Sequence, residues 1–229
     1  DSGSLFPEIP MELKLYGAAL SPFVRKTRVF MQEKDIPFEA IHIDPNNPPE
    51  DFVKLNPLKR IPVLQHGDRV IADSAVICRY LESLFPETPL YPTDPWDQAR
   101  CSWFEKFADY ELGTTCTFSV FRNRVIMPLI GKACDEEKVQ KALSTTMPPL
   151  FAYLDQELAG KDYLLGEQMT IADIALASQL VNLRHGGEAV DPGRFPNLAA
   201  HTARMHARPG FAKAIEKESV FVEKVRAKP

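Results

Sequence analysis

The chain has no uninterrupted apolar run near the roughly 18 residues that a membrane-spanning helix needs. A membrane span is therefore excluded. An excess of positive charge is also missing: 27 Lys and Arg stand against 31 Asp and Glu, a formal net charge of -4. Nucleic-acid binders present a strongly basic face, so that class is set aside. Cysteine is scarce. Cys78, Cys101, Cys116 and Cys134 form no CxxC pair and no metal-ligand spacing with histidine. They read as reduced, buried thiols of a cytoplasmic protein with no metal site. Internal repeats and low-complexity tracts are absent. The opening Asp1-Ser2-Gly3-Ser4 lacks the charged-then-apolar pattern of a secretory signal and is left out of the fold reading.

What the chain does have is ordinary apolar content over 229 residues, enough for one large domain or two small ones. The first third alternates strand and helix signals. Leu13 to Gly17 reads as a strand and Ser21 to Glu33 as a helix, with Val24, Thr27 and Met31 on one face. Phe38 to Asp44 reads as a second strand, completing a right-handed βαβ unit with parallel strands. Asp44 to Pro49 is too proline-rich for regular structure. Ile61 to Gln65 and Arg69 to Ala72 flank His66-Gly67-Asp68 and form a hairpin. Asp73-Ser74 then caps a helix carrying Ile77, Leu81 and Leu84. The order βαβ then ββα predicts a four-stranded mixed sheet with helices against it.

Pro86 to Pro95 carries four prolines and reads as a linker. Beyond it strand signals vanish. Trp96 to Val125 predicts one long helix ending near Met127-Pro128. Glu136 to Leu158 predicts another, kinked or broken at Pro148-Pro149. Thr170 to Asp173 has the spacing of a capping box, with Met169 placed to staple Ile174 ahead of the apolar run to Leu183. A helix apolar on most sides is buried, so this one is expected at the centre of the second domain. Shorter helices over 197–207 and 210–217 close the chain. The fold expected is an α/β thioredoxin-like N-terminal domain over 11–86, a linker over 87–95 and an all-α C-terminal domain over 96–222.

Four features then arrive in order: Ser21-Pro22-Phe23 with Arg25, Asn56-Pro57, Ile61-Pro62-Val63-Leu64, and Asp73-Ser74. With the Thr170 to Asp173 box they resemble the soluble glutathione S-transferases, closest to the serine-type tau, zeta, theta and phi groups. The resemblance runs from about Met11 to about Val220. It implies glutathione as co-substrate in the first domain, a hydrophobic electrophile facing it from the helices, and a homodimer.

On that resemblance Ser21 is the catalytic residue. A free thiol titrates near 8.5, and a hydroxyl at a helix N-terminus would hold the glutathione sulfur as thiolate. By itself the same serine is also a plain N-cap followed by proline at the first helical position. The family pattern makes Ile61-Pro62 a cis bond that leaves Ile61 to pair with the cysteinyl unit like an added strand; the alternative is a proline opening an edge strand. Asp73 would accept from the γ-glutamyl ammonium and Ser74 donate to its carboxylate, or both simply cap the helix. Many serine-type members carry Glu where Asp73 stands. Lys59 or Arg60 would meet the glycyl carboxylate, or stay a solvated pair. Arg25, Lys26 and Arg28 are expected on the outer face of their helix. The acceptor pocket is assigned to Phe23, Trp103, Phe107 and Tyr110, residue types that serve equally as core or subunit interface. The same site suits glutathione-dependent isomerisation or peroxide reduction, and the fold also occurs as a non-catalytic binding module. Ala18-Ala19-Leu20 replaces the run typical of the zeta group, which weakens the isomerase reading.

Overall fold

The computed structural model describes residues 12–226. Asp1 to Ser4, and Met11 at the start of the expected first domain, lie outside them.

Strands β1 (Leu13–Gly17), β2 (Glu39–His42), β3 (Val63–His66) and β4 (Arg69–Ala72) form one mixed sheet in the order β2-β1-β3-β4. β1 and β2 are parallel; β1–β3 and β3–β4 are antiparallel. Helix α1 (Pro22–Glu33) crosses between β1 and β2, and α3 (Ser74–Leu84) follows β4. The βαβ–ββα order is as expected. A short helix that the sequence reading did not include, α2 (Glu50–Leu55), follows the proline-rich loop, with Glu50 and Asp51 favouring its N-terminus.

From residue 95 onward the chain is almost wholly helical. Helix α4 covers 95–129 without interruption. It begins as an ordinary α-helix (Pro95–Phe107) and widens to i→i+5 bonding over Ala108–Ile126. Side chains enter its ladder there: Thr115 donates to the Glu111 carbonyl, Ser119 to that of Thr114 and Asn123 to that of Ser119. Such insertions locally rewind a helix. Helix α5 covers 136–157. The break expected at Pro148-Pro149 does not occur. A wider turn, Ala142–Thr146, precedes the prolines, which fall in the first turn of the following segment, Met147–Glu157, where proline is best tolerated. Helices α6 (Ile171–His185), α7 (Pro196–His206) and α8 (Pro209–Arg226) complete the chain, the last ending nine residues later than expected.

Asp173 is wholly buried and anchors the start of α6. Its carboxylate accepts the Thr170 N–H at 2.8 Å, the Leu164 N–H at 2.9 Å and the Thr170 hydroxyl at 3.0 Å, and it pairs with His201 Nε2 at 2.9 Å. α6 is buried on nearly every side, as its all-round apolar sequence requires. One continuous core runs from Leu15, Phe30 and Leu64 through Phe104 and Leu112 to Ile174 and Phe211. The sheet unit and the helices are thus fused through α1.

That position corrects one expectation. Arg25 and Lys26 do not line an outer face; each is 1 % exposed. α1 is covered by the sheet on one side and by helices on the other. Lys26 Nζ reaches Glu105 at 3.0 Å and Asp109 at 2.6 Å, and Arg25 pairs with Glu218. Burial alone would lower the Lys26 pKa, but the two carboxylates outweigh it and hold the ammonium charged. Arg28 is half-buried.

Candidate functional site

The sheet register brings three segments to one edge. Tyr16 on β1 lies opposite Val63 on β3, and Val63 lies opposite Ala72 on β4. The next residues at that end are Gly17, leading into Ser21; Pro62, preceded by Ile61; and Asp73, leading into Ser74. Neighbouring strands lie roughly 4.8 Å apart, so the three exits fall within about 10 Å of one another. The N-terminus of α1 and that of α3 both follow strands ending on this row.

Ser21 caps α1 with an extended backbone, and its Oγ accepts the Val24 N–H at 3.4 Å. That bond is long. Among the described residues the Ser21 hydroxyl proton has no acceptor. The turn before it is tight because Gly17 lets β1 approach α1: a Cβ on Gly17 would lie 2.4 Å from Val24 Cγ2.

The Ile61-Pro62 bond is cis. The N–H and C=O of Ile61 make no backbone hydrogen bond among the described residues, and the side chain is half-buried. Asn56, which is buried, shapes the turn delivering this segment. Its Nδ2 donates to the Arg60 carbonyl at 2.8 Å, its Oδ1 accepts the Leu58 N–H at 3.1 Å, and its carbonyl accepts the Lys59 N–H at 2.9 Å. The turn leaves the Lys59 and Arg60 side chains exposed. Asn56 therefore has a defined role that the sequence motif alone did not assign it.

Asp73 caps α3 through Oδ1, accepting the Ala75 N–H at 2.9 Å and the Val76 N–H at 3.3 Å. Its φ of 79° is rare for a residue with a side chain. One carboxylate oxygen is thereby committed to the helix. Ser74 is buried, with no side-chain hydrogen bond to the described residues.

The four aromatic residues assigned to an acceptor pocket have different immediate neighbours. Phe23 is half-buried, with its ring tip toward the middle of α4: a Cβ on Gly113 would lie 3.8 Å from Phe23 Cζ and from Gln179 Nε2. Trp103 and Phe107 instead pack together and toward Tyr153 on α5. Trp103 Nε1 donates to the Tyr153 hydroxyl at 2.9 Å, and the Phe107 and Tyr153 rings are 5.2 Å apart. Tyr110 is exposed beneath Lys106. Gly113, which both Phe23 and Gln179 approach, carried no sequence signal because it belongs to no aromatic or charged cluster.

Three of the four cysteines are buried, and at the fourth, Cys134, burial and the neighbouring Glu136 carboxylate also raise the thiol pKa. Burial pushes the Cys101 and Cys116 thiols up to about 12, and Cys78 higher still. Among the described residues no group of three or more His, Cys, Asp or Glu is arranged to hold a metal ion, and no helix is long and apolar enough to cross a membrane.

Two family models match the chain, glutathione S-transferase N-terminal domain over residues 15–89 and glutathione S-transferase C-terminal domain over 121–218. Among curated relatives, glutathione S-transferase U1 of Arabidopsis thaliana is 30 % identical over 73 % of this chain and 70 % of its own length. Glutathione S-transferase U7 of the same plant is 27 % identical over 95 % and 92 %. Among solved structures, a glutathione S-transferase from Rhodospirillum rubrum F11 aligns with a TM-score of 0.81 at 27 % identity, covering 88 % of this chain and 91 % of that one.

Proposed function

Because the chain belongs to the glutathione S-transferase family and is a glutathione-dependent enzyme of it, we propose that it adds the glutathione thiolate to hydrophobic electrophiles, with Ser21 as the residue that keeps the sulfur ionised. The observation carrying this reading is the Ser21 hydroxyl at the N-terminus of α1, whose proton has no acceptor among the described residues, at the end of the sheet where the Ile61 and Ser74 segments also emerge.

In this mechanism the Ser21 hydroxyl donates to the sulfur, and the positive end of α1 adds to the stabilisation. The thiol proton passes to solvent. The free N–H and C=O of Ile61 take the cysteinyl unit as a short added strand. The Ser74 hydroxyl and the α3 N-terminus hold the γ-glutamyl carboxylate. The second oxygen of Asp73 accepts from the ammonium, and Lys59 or Arg60 meets the glycyl carboxylate. The thiolate then forms an S–C bond to the acceptor. In a displacement, the leaving group departs with the bonding electrons; in an addition to an unsaturated carbonyl, the neighbouring carbon takes a proton. Phe23, with the α4 face around Gly113, forms the apolar wall for that acceptor. Trp103 and Tyr110, together with exposed Leu58, Val76 and Trp96, are assigned to a second copy of the chain in a homodimer. The domain division proposed is 11–86 for glutathione and 96–222 for the acceptor, joined by 87–95. The free thiols suit a reducing compartment, the cytoplasm.

The test is a substrate panel of aryl halides, unsaturated carbonyls, hydroperoxides and maleylacetone, run beside thermal unfolding with glutathione. Occupancy at 100 times Kd adds about 2.7 kcal/mol of stability. Turnover confined to hydroperoxides or maleylacetone would replace conjugation by peroxide reduction or isomerisation. An unchanged unfolding curve would mean that the site described does not hold glutathione and would favour the alternative of a non-catalytic module on this fold.

A further inference from the structure

The Arg25 and Glu218 side chains belong to a longer buried relay that ends at the residue before Ser21. His185 Nε2 lies 3.0 Å from Glu218 Oε2. The Glu218 carboxylate takes the Arg25 guanidinium at two points, Nε to Oε1 at 3.1 Å and Nη2 to Oε2. Arg25 Nη1 donates to the Ser178 carbonyl at 2.8 Å and to Asn182 Oδ1 at 3.0 Å. Asn182 Nδ2 donates in turn to the Leu20 carbonyl at 3.4 Å. Asn182 is 0 % exposed and Glu218 5 %. The Leu20 side chain packs on Phe121, Val125, Val222 and Val225, where the ends of α4 and α8 meet. On the other side of Ser21, the Arg25 N–H donates to the Ser21 carbonyl at 2.9 Å. Ser21 is thus bracketed by two residues, Leu20 and Arg25, that the helical part of the chain grips.

A buried ion pair is a poor source of stability, because desolvation offsets most of its attraction and apolar packing would serve as well. What it supplies is orientation. The guanidinium is a rigid planar fork, and here Nε and both terminal nitrogens are engaged by acceptors on α6 and α8. A group so held cannot rotate without leaving a buried charge unpaired.

Resting on the reading of Ser21 as the thiolate-stabilising group, we infer that Arg25, Asn182 and Glu218 are positioning residues for it. Through them the C-terminal helix α8, remote in sequence, sets where the Ser21 hydroxyl sits. Glutathione itself is held by the Ile61 and Ser74 segments, so its affinity does not depend on the relay.

The experiment compares wild type with Glu218→Gln, Asn182→Ala and Ser21→Ala. Glu218→Gln keeps the shape and removes the charge. Asn182→Ala leaves the ion pair intact and removes the grip on the Leu20 carbonyl. Each is titrated for the ultraviolet absorbance of bound thiolate against pH, for glutathione Kd by calorimetry, and for conjugation rate against pH. Misplacing a reacting group by about 1 Å costs up to about 100-fold. A partial release of Ser21 is therefore expected to lower kcat about 5- to 50-fold at neutral pH. The bound thiol should titrate higher, turnover should recover as pH rises, and Kd should stay within about threefold of wild type, a split that general loosening of the fold would not produce. A folded Glu218→Gln protein with the wild-type thiol titration and rate profile overturns the inference. If that variant does not fold, the same result with Asn182→Ala overturns it. Should Ser21→Ala itself match wild type, the parent reading falls. A shifted Ser21→Ala beside relay variants that match wild type removes only the positioning role.

Discussion

Replacing Ser21 by alanine removes one hydroxyl, and the structure separates its two consequences. The first is the loss of a helix cap. Such losses cost about 0.5–2 kcal/mol, and here the capping bond from Val24 is 3.4 Å long, which puts the loss at the lower end, about 0.5 kcal/mol. The second is the loss of a donor to a charged sulfur, worth about 1.5–3 kcal/mol. One pKa unit corresponds to about 1.4 kcal/mol, so the bound thiol should titrate about one to two units higher in Ser21→Ala. Below the wild-type pKa of the bound thiol, the thiolate fraction and the conjugation rate fall about 10- to 100-fold together, and the gap closes as pH rises through the new pKa. The assay is the pH profile of kcat with a chromogenic aryl halide from about pH 5.5 to 9, beside urea denaturation of both proteins. The profile should move to higher pH and the rates converge at the alkaline end, while the unfolding midpoint moves little. Unchanged turnover at neutral pH would refute the role given to Ser21. A large fall in stability with an unshifted profile would show that the serine is only a cap.

Ser74→Ala should weaken glutathione binding about tenfold or more by calorimetry, the loss of one charge-assisted hydrogen bond; an unaltered Kd removes Ser74 from the site. Ser21→Cys should gain thiol–disulfide exchange with glutathione mixed disulfides, and its absence would place the sulfur out of reach of position 21. Gly17→Ala forces a methyl group to within 2.4 Å of Val24 Cγ2 and should cost about 1–3 kcal/mol in urea unfolding; an unshifted midpoint would mean that β1 and α1 can move apart freely. Burial lowers the His206 pKa to about 4 from 6.5. The unfolded chain therefore binds a proton at this position before the native one does. Stability should fall as pH drops from about 6.5 towards 4, by at most about 1.4 kcal/mol per unit from this group. His206→Gln should flatten that part of the stability–pH curve, and an identical slope would assign the acid sensitivity elsewhere.

The sequence by itself determined the order of the main elements and the starts of several helices. Alternating and 3.6-periodic apolar residues specify the βαβ–ββα order and the helices after residue 95. Ser21, Asp73 and Thr170 are local stop-and-start signals acting on backbone groups a few residues away, so a local reading finds them. Pro148-Pro149 pointed to a kink or break; the helix is not broken, but its bonding widens over Ala142–Thr146 just before the prolines, because proline excludes a hydrogen bond and not the helix itself. Only the tertiary structure decided that Arg25 and Lys26 are buried and paired with carboxylates. Periodicity in α1 records the face towards the sheet and cannot register the helices on the other side, and the partner of Arg25 lies 193 residues away. The same holds for the aromatic residues of α4. Composition marks Trp103, Phe107 and Tyr110 alike, whereas packing turns two of them towards Tyr153 and leaves Gly113 opposite Phe23. Likewise, the register that lines up Tyr16, Val63 and Ala72 exists only once the strands pair. Local chemistry can nominate a hydroxyl, a proline and a helix cap, but the cis geometry of Ile61-Pro62 and the meeting of the three at one end of the sheet take contacts between residues far apart in the chain.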